Sequence, residues 1–201
     1  MKTIRIMSAV AAMSAVLAAG AADAQVRVKA RGSNGTVTAT KNAAGGAAVR
    51  GRGRVQNDDG STTVASGGAR RTAQGGRAAR AGTATYDEAT GAYSAQRGAA
   101  VQTATGATAN RQSSTSGTRG EGWNRSGSAS ASGERGSAAT SSDFSRNADG
   151  SWSGGSETSV TGNASGNTYN GATTIDPDTG KPVHSHSCSN ANGEPVACPT
   201  R

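Results

Sequence analysis

Few residues in this 201-residue chain have a chemistry of their own. His184, His186 and Cys188 alternate in the stretch His184-Ser185-His186-Ser187-Cys188. In an extended strand such alternate residues project from one face, about 6–7 Å apart. Two imidazoles and a thiolate in that arrangement suit Cu²⁺, Ni²⁺ or Zn²⁺. Cys198 is the only other cysteine, and an even pair in a secreted chain reads as a disulfide. An oxidised Cys188 is no thiolate ligand, so the two readings exclude each other. The disulfide is the expectation, stapling a terminal hairpin across the turn-forming Asn190-Ala191-Asn192-Gly193. His184 and His186 are then surface histidines, and no metal or other cofactor is expected. Asp176-x-Asp178 hints at a calcium loop. However, Gly180 comes one position too early for an EF-hand, and no bidentate glutamate follows at the twelfth position.

The second candidate chemistry is arginine. Arg50, Arg52 and Arg54 fall on one face of Val49–Val55, with glycines on the other, and Arg70, Arg71, Arg77 and Arg80 continue the tract. The planar guanidinium pairs with phosphate, sulfate and carboxylate. Residues 25–135 hold 16 Lys and Arg against 6 Asp and Glu, a net of +10, whereas residues 136–201 hold 3 against 6, a net of −3. The alternative is that arginine merely solubilises exposed strand faces and blunts sheet edges. No catalytic grouping appears: both histidines sit in one short stretch, and no nucleophile elbow or phosphate-binding loop is present.

The elements that must position these residues are hairpins. Thr83–Ser94, TATYDEATGAYS, reads as two strands around a type I turn. Asp87 opens the turn, Glu88 and Ala89 form its corner, and Gly91 closes it in the left-handed conformation. Tyr86 and Tyr93 face each other across it. The stretch resembles the second hairpin of the immunoglobulin-binding domain of protein G, which has the same Tyr-Asp-acid-Ala-Thr order. The resemblance covers about a dozen residues and implies a turn geometry only.

The same turn returns as Asp176-Pro177-Asp178-Thr179-Gly180. Asn57–Ser61, Asn147–Ser151 and Arg119–Gly122 are looser copies, and turn-like glycines recur midway at 45–46, 75–76, 106, 136, 166 and 193. Turn signals therefore return about every 15 residues, as in an internal repeat. Val26–Lys41 alternates with period two around Ser33-Asn34-Gly35, so it reads as a hairpin. Val49–Val55 reads as a poor strand or an Arg-Gly arm, because strand interiors disfavour glycine. Residues 126–142 read as Ser/Ala/Gly low complexity.

Residues 1–24 read as an export signal with a helical apolar stretch. Lys2 and Arg5 precede Ile6–Gly20, and Ala22-Asp23-Ala24 supplies a small-x-small cleavage site. The remaining 177 residues form a single region that is basic over 25–135 and slightly acidic over 136–201. Their large apolar side chains are ten Val, Ile175, Phe144, two Trp and three Tyr. Ordering a residue costs about 1–2 kcal/mol of backbone entropy, and burying one such side chain returns about 1.5–3 kcal/mol. A compact two-layer core cannot close on those terms.

The expectation is an all-β, repetitive fold: an elongated antiparallel meander or a solenoid-like stack of hairpins, unless low complexity leaves the chain disordered. The expected protein is an exported, non-enzymatic structural or surface component of the periplasm, cell surface or exterior, able to self-associate and without a transmembrane segment. The alternative is an Arg-rich module for extracellular polyanions such as lipopolysaccharide, acidic polysaccharide or DNA, without sequence-specific nucleic-acid recognition.

Overall fold

The computed structural model describes residues 26–198, so the export signal read over residues 1–24 lies outside the described residues. The chain forms thirteen strands. They are β1 (Val26–Gly32), β2 (Gly35–Lys41), β3 (Ala47–Gln56), β4 (Thr62–Arg71), β5 (Arg77–Tyr86), β6 (Ala92–Gln102) and β7 (Thr108–Thr118). The rest are β8 (Gly122–Gly133), β9 (Gly136–Asn147), β10 (Trp152–Gly162), β11 (Thr168–Ile175), β12 (Pro182–Ser189) and β13 (Pro195–Val196). All lie in one open antiparallel sheet, in which each strand pairs with its neighbours in sequence. Among the described residues there is no helix.

Two segments are more regular than their composition suggests. Val49–Val55 belongs to a ten-residue strand paired on both sides, and is not an arm. Residues 126–142 lie in β8 and β9 and the turn between them, and these two strands pair from Gly122↔Asn147 to Gly133↔Gly136. Ladder hydrogen bonds come from the backbone, so small side chains do not weaken them directly.

Turns of two, three, five and six residues join the strands, and the Asp-x-x-Thr-Gly turn is one of the six-residue kind. In that turn Asp87 Oδ1 accepts from the N–H of Ala89 at 2.8 Å and of Thr90 at 3.3 Å, while Thr90 Oγ1 donates to Oδ2 at 2.8 Å. Gly91 closes it with φ +71°, a conformation that costs any other L-residue about 1–2 kcal/mol. Asp176 repeats the arrangement with the N–H groups of Asp178 and Thr179, and Gly180 closes it. Six residues separate the paired strand ends Tyr86 and Tyr93, and likewise Ile175 and Pro182.

Asn57–Ser61 and Asn147–Ser151 are a different, five-residue turn. Asn57 N–H donates to the Ser61 carbonyl at 2.8 Å, and Gly60 N–H donates to the Asn57 carbonyl at 3.1 Å. The same pair of bonds recurs from Asn42, Thr72, Thr103, Asn147 and Asn190, each with a positive-φ glycine fourth in the turn. Gly136 is not a turn residue: the loop is Glu134-Arg135, and Gly136 opens β9.

The sheet is a single layer. Cys188 and Ser61 are the only buried side chains among the described residues. In place of a core, hydroxyl pairs lace neighbouring strands: Thr63 with Thr85 at 2.9 Å, Thr108 with Ser132 at 2.9 Å, Ser114 with Ser126 at 2.7 Å, and Thr161 with Thr168 at 2.9 Å. Cross-strand pairs of this kind are worth roughly 0.2–1 kcal/mol each.

Four turn aspartates accept hydrogen bonds that favour their ionised form. The Ser61 hydroxyl and N–H hold Asp59 below the usual aspartate range, and those of Ser151 do the same for Asp149. The Thr90 hydroxyl, helped by the Thr90 and Ala89 N–H groups, lowers Asp87. The N–H groups of Thr179 and Asp178 lower Asp176. A carboxyl whose pKa is depressed on folding contributes stability above its unfolded pKa and loses it as pH falls through the folded value. Urea midpoints should therefore drop as the pH is lowered below the ordinary aspartate pKa. Replacing Asp59, Asp87, Asp149 and Asp176 together by Asn should flatten that limb. An unchanged acid limb would show that these bonds do not matter to stability.

Candidate functional site

Directly opposed residues of antiparallel strands project to the same face. Following the register from strand to strand therefore sorts every strand residue to one of two faces. One face, here the front, carries Arg27, Lys29 and Arg31 of β1, Arg50, Arg52 and Arg54 of β3, and Arg70 of β4. It also carries Arg80 of β5, Arg97 of β6, Arg111 of β7, Arg125 of β8 and Arg146 of β9. The two acids within strands, Asp143 and Glu157, lie on the back face. The other described Asp and Glu residues occupy turns.

Of the arginines singled out from sequence, the structure thus brings together Arg50, Arg52, Arg54, Arg70 and Arg80. It sets Arg71 and Arg77 opposite each other on the back face. Arg97, Arg111 and Arg125 join the front face, although each stands alone in its sequence neighbourhood.

The cations are interleaved with small residues. One row across the sheet reads Lys29, Thr38, Arg50, Gly68, Arg80, Ala99, Arg111, Ala129. Strands are about 4.8 Å apart, so successive cations in this row stand about 10 Å apart. The next row reads Arg31, Thr36, Arg52, Ser66, Gly82, Arg97, Ser113, Gly127. Glycine gives the stems room. A Cβ on Gly68 would lie 3.3 Å from Arg50 Cγ, and one on Gly82 would lie 3.2 Å from Arg97 Cγ. Together these rows border a trough of about 1380 Å³, lined by Arg50, Arg52, Arg80, Arg97, Arg111 and Arg125 and floored by Gly82, Ala99 and Gly127.

Along one flank of the front face runs an aromatic row: Tyr86, Tyr93, Gly117, Trp123, Arg146, Trp152. Trp123 and Trp152 meet edge to face at 5.2 Å. Arg119 lies 5.7 Å over the Tyr86 ring and Arg146 5.7 Å over the Trp152 ring, both within cation–π range. Only the Tyr86–Tyr93 pair was visible in the sequence. Trp123 and Trp152 are far apart in the chain, and register alone joins them to it.

At the C-terminal end, Cys188 is bonded to Cys198 with a Cα–Cα distance of 5.3 Å. His184, His186 and Cys188 do share a face, opposite Thr173, Gly171 and Tyr169. However, the sulfur is occupied, the His184 ring contacts the Thr173 hydroxyl at 2.8 Å, and the His186 ring stacks on Tyr169. No family model, curated protein or solved structure matches the chain.

The bond closes a loop of sequence separation 10, worth around 3 kcal/mol in the chain-entropy account. The unreduced protein should give no reaction with a thiol reagent under denaturing conditions, and two equivalents after reduction. Two equivalents without reduction would return Cys188 to the pool of metal ligands.

Proposed function

We propose that this chain is an exported, non-enzymatic surface or matrix component that adheres to extracellular polyanions through its front face. The observation that carries the reading is the sorting of strand cations. Twelve share one face with no strand carboxylate among them, while Asp143 and Glu157 face away. Arginines that only solubilised a sheet would serve equally well on both faces. Cations in one row stand about 10 Å apart across small residues, beyond the Debye length of about 8 Å at physiological salt, while alternate cations on one strand such as Arg50, Arg52 and Arg54 stand about 7 Å apart. They remain dense enough to release several counterions from a polymer at once, which makes such binding salt-dependent and blind to sequence.

The structural component of the reading rests on the single-layer sheet. It exposes two broad faces and a charged edge.

The face assignment provides its own control. Arg50→Gln with Arg80→Gln removes two front charges, and Arg71→Gln with Arg77→Gln removes two from the back. On heparin or lipopolysaccharide at low salt, the front pair should lower affinity roughly five- to tenfold and lower the slope of log affinity against log salt by about 1–2. The back pair should stay near the parent. Equal effects from both pairs would make the attraction a matter of net charge alone. If the parent itself were not retained, the arginines would be solubilising decoration on a purely structural sheet.

A further inference from the structure

Most charges of the front face lie in rows apart from its rings; the exceptions are Arg119 and Arg146, which sit over the Tyr86 and Trp152 rings. The cation rows through Arg80 and Arg97 and the aromatic row through Tyr86 and Tyr93 run parallel across the sheet. Arg97 and Tyr93 lie four residues apart on one strand, about 13 Å. The row between them is small at β5, β6 and β7, where it reads Ala84, Ala95, Thr115. The aromatic row is also interrupted. Gly117 stands between Tyr93 and Trp123 and can carry no side chain, since a Cβ there would collide with the Gly122 carbonyl oxygen and lie 2.8 Å from the Trp123 Cβ. Tyr93 and Trp123 are thus two strand spacings apart, about 10 Å. Trp123 and Trp152 lean toward each other, 5.2 Å between ring centroids although their strands are two spacings apart, so Tyr93 and Trp123 present separate stacking surfaces. A cleft of about 500 Å³ opens at this point, lined by Tyr86, Tyr93, Trp123, Arg119 and Arg146.

We infer that the polyanion for which this face is built is single-stranded nucleic acid, lying across the strands with its phosphates in the arginine trough and its bases on the aromatic row. This rests on the polyanion reading above and narrows it. The argument is where each polymer keeps its charge. An acidic polysaccharide carries carboxylate or sulfate on the rings themselves, so its receptor needs cations and aromatics intermixed throughout, whereas the trough arginines Arg50, Arg80, Arg97 and Arg111 have no ring beside them. A nucleic acid keeps phosphate on one side of the sugar and the flat ring on the other, which asks for two parallel tracks. A charged groove beside stacking side chains is the general solution for sequence-blind single-strand binding. A duplex has its bases already stacked and offers this row nothing.

The test uses the oxidised chain with a twenty-nucleotide oligo(dT), a duplex of equal charge, and heparin. Oligo(dT) should quench the tryptophan fluorescence, and duplex and heparin should not. Tyr93→Leu with Trp123→Leu should weaken oligo(dT) binding about tenfold and leave heparin binding unchanged. Tyr93→Phe with Trp123→Phe should bind oligo(dT) like the parent. Circular dichroism checks that each variant keeps the sheet. If the Leu variant unfolds, the quenching comparison on the parent decides. Equal quenching by all three ligands, or equal losses of oligo(dT) and heparin binding in a folded Leu variant, would overturn the base shelf while leaving polyanion adhesion intact. Binding of none of the three ligands would remove both.

Discussion

Cross-strand register is the constraint on which this structure depends. With no layer packed against the sheet, apolar burial cannot penalise a slipped strand. Yet a slip of one residue would send every side chain beyond it to the opposite face. The turns carry that task. Each five-residue turn closes with its own pair of backbone bonds and a left-handed glycine, as at Asn57–Ser61, so its length is not negotiable. The six-residue turn at Asp87 is fixed by three bonds to one carboxylate. Stability is thus local and distributed along the ladder, as in repeat proteins whose units contact only their neighbours.

Given that register, the placement of arginine follows from ordinary electrostatics. Like charges directly opposite one another destabilise a sheet. On the front face, Arg50 therefore faces Gly68 and Thr38, Arg80 faces Gly68 and Ala99, and Arg111 faces Ala99 and Ala129. The exception is informative: Arg71 opposes Arg77 on the back face, at the strand ends beside a turn, where both side chains are exposed to water. Glycine within the strands weakens them in isolation. Here Gly68 and Gly82 make room for the Arg50 and Arg97 stems, so an apparent defect of β4 and β5 is what permits the cation rows.

Much of the fold was legible in the sequence. The turn glycines, the Asp-x-x-Thr-Gly match and the scarcity of core residues all pointed to an all-β chain of short hairpins, and Tyr86 and Tyr93 were paired correctly. The site was legible only in fragments. Arg50, Arg52 and Arg54 share a face by simple alternation, but joining them to Arg97 or Arg125 requires counting through several turns. A five-residue turn pairs positions six apart and preserves odd or even numbering, as in Gln56↔Thr62. Six-residue and two-residue turns reverse it, as in Tyr86↔Tyr93 and Gly133↔Gly136. The front-face arginines are accordingly odd-numbered in β1, even from β3 to β5, odd from β6 to β8 and even again in β9. Treating Asn57–Ser61 as a copy of the Asp87 turn hides this, since the two differ by one residue.

The two ends of the sheet are protected by different means. An open edge offers unpaired backbone groups to any passing strand. At β1 the edge residues Arg27, Lys29 and Arg31 place a charge at every second position, so a second copy arriving with its own β1 would meet like charge along the whole strand. At the other end such charges are absent from β12, which instead begins with Pro182, a residue with no N–H to donate. The short β13 covers Cys188 and Ser189, and the bond to Cys198 holds it there. A disulfide is wasted on a hairpin that is already stable, but it matters for a two-residue strand whose ladder alone could not hold. Its value here is therefore in holding β13 over the last two residues of the one edge that the arginines do not reach.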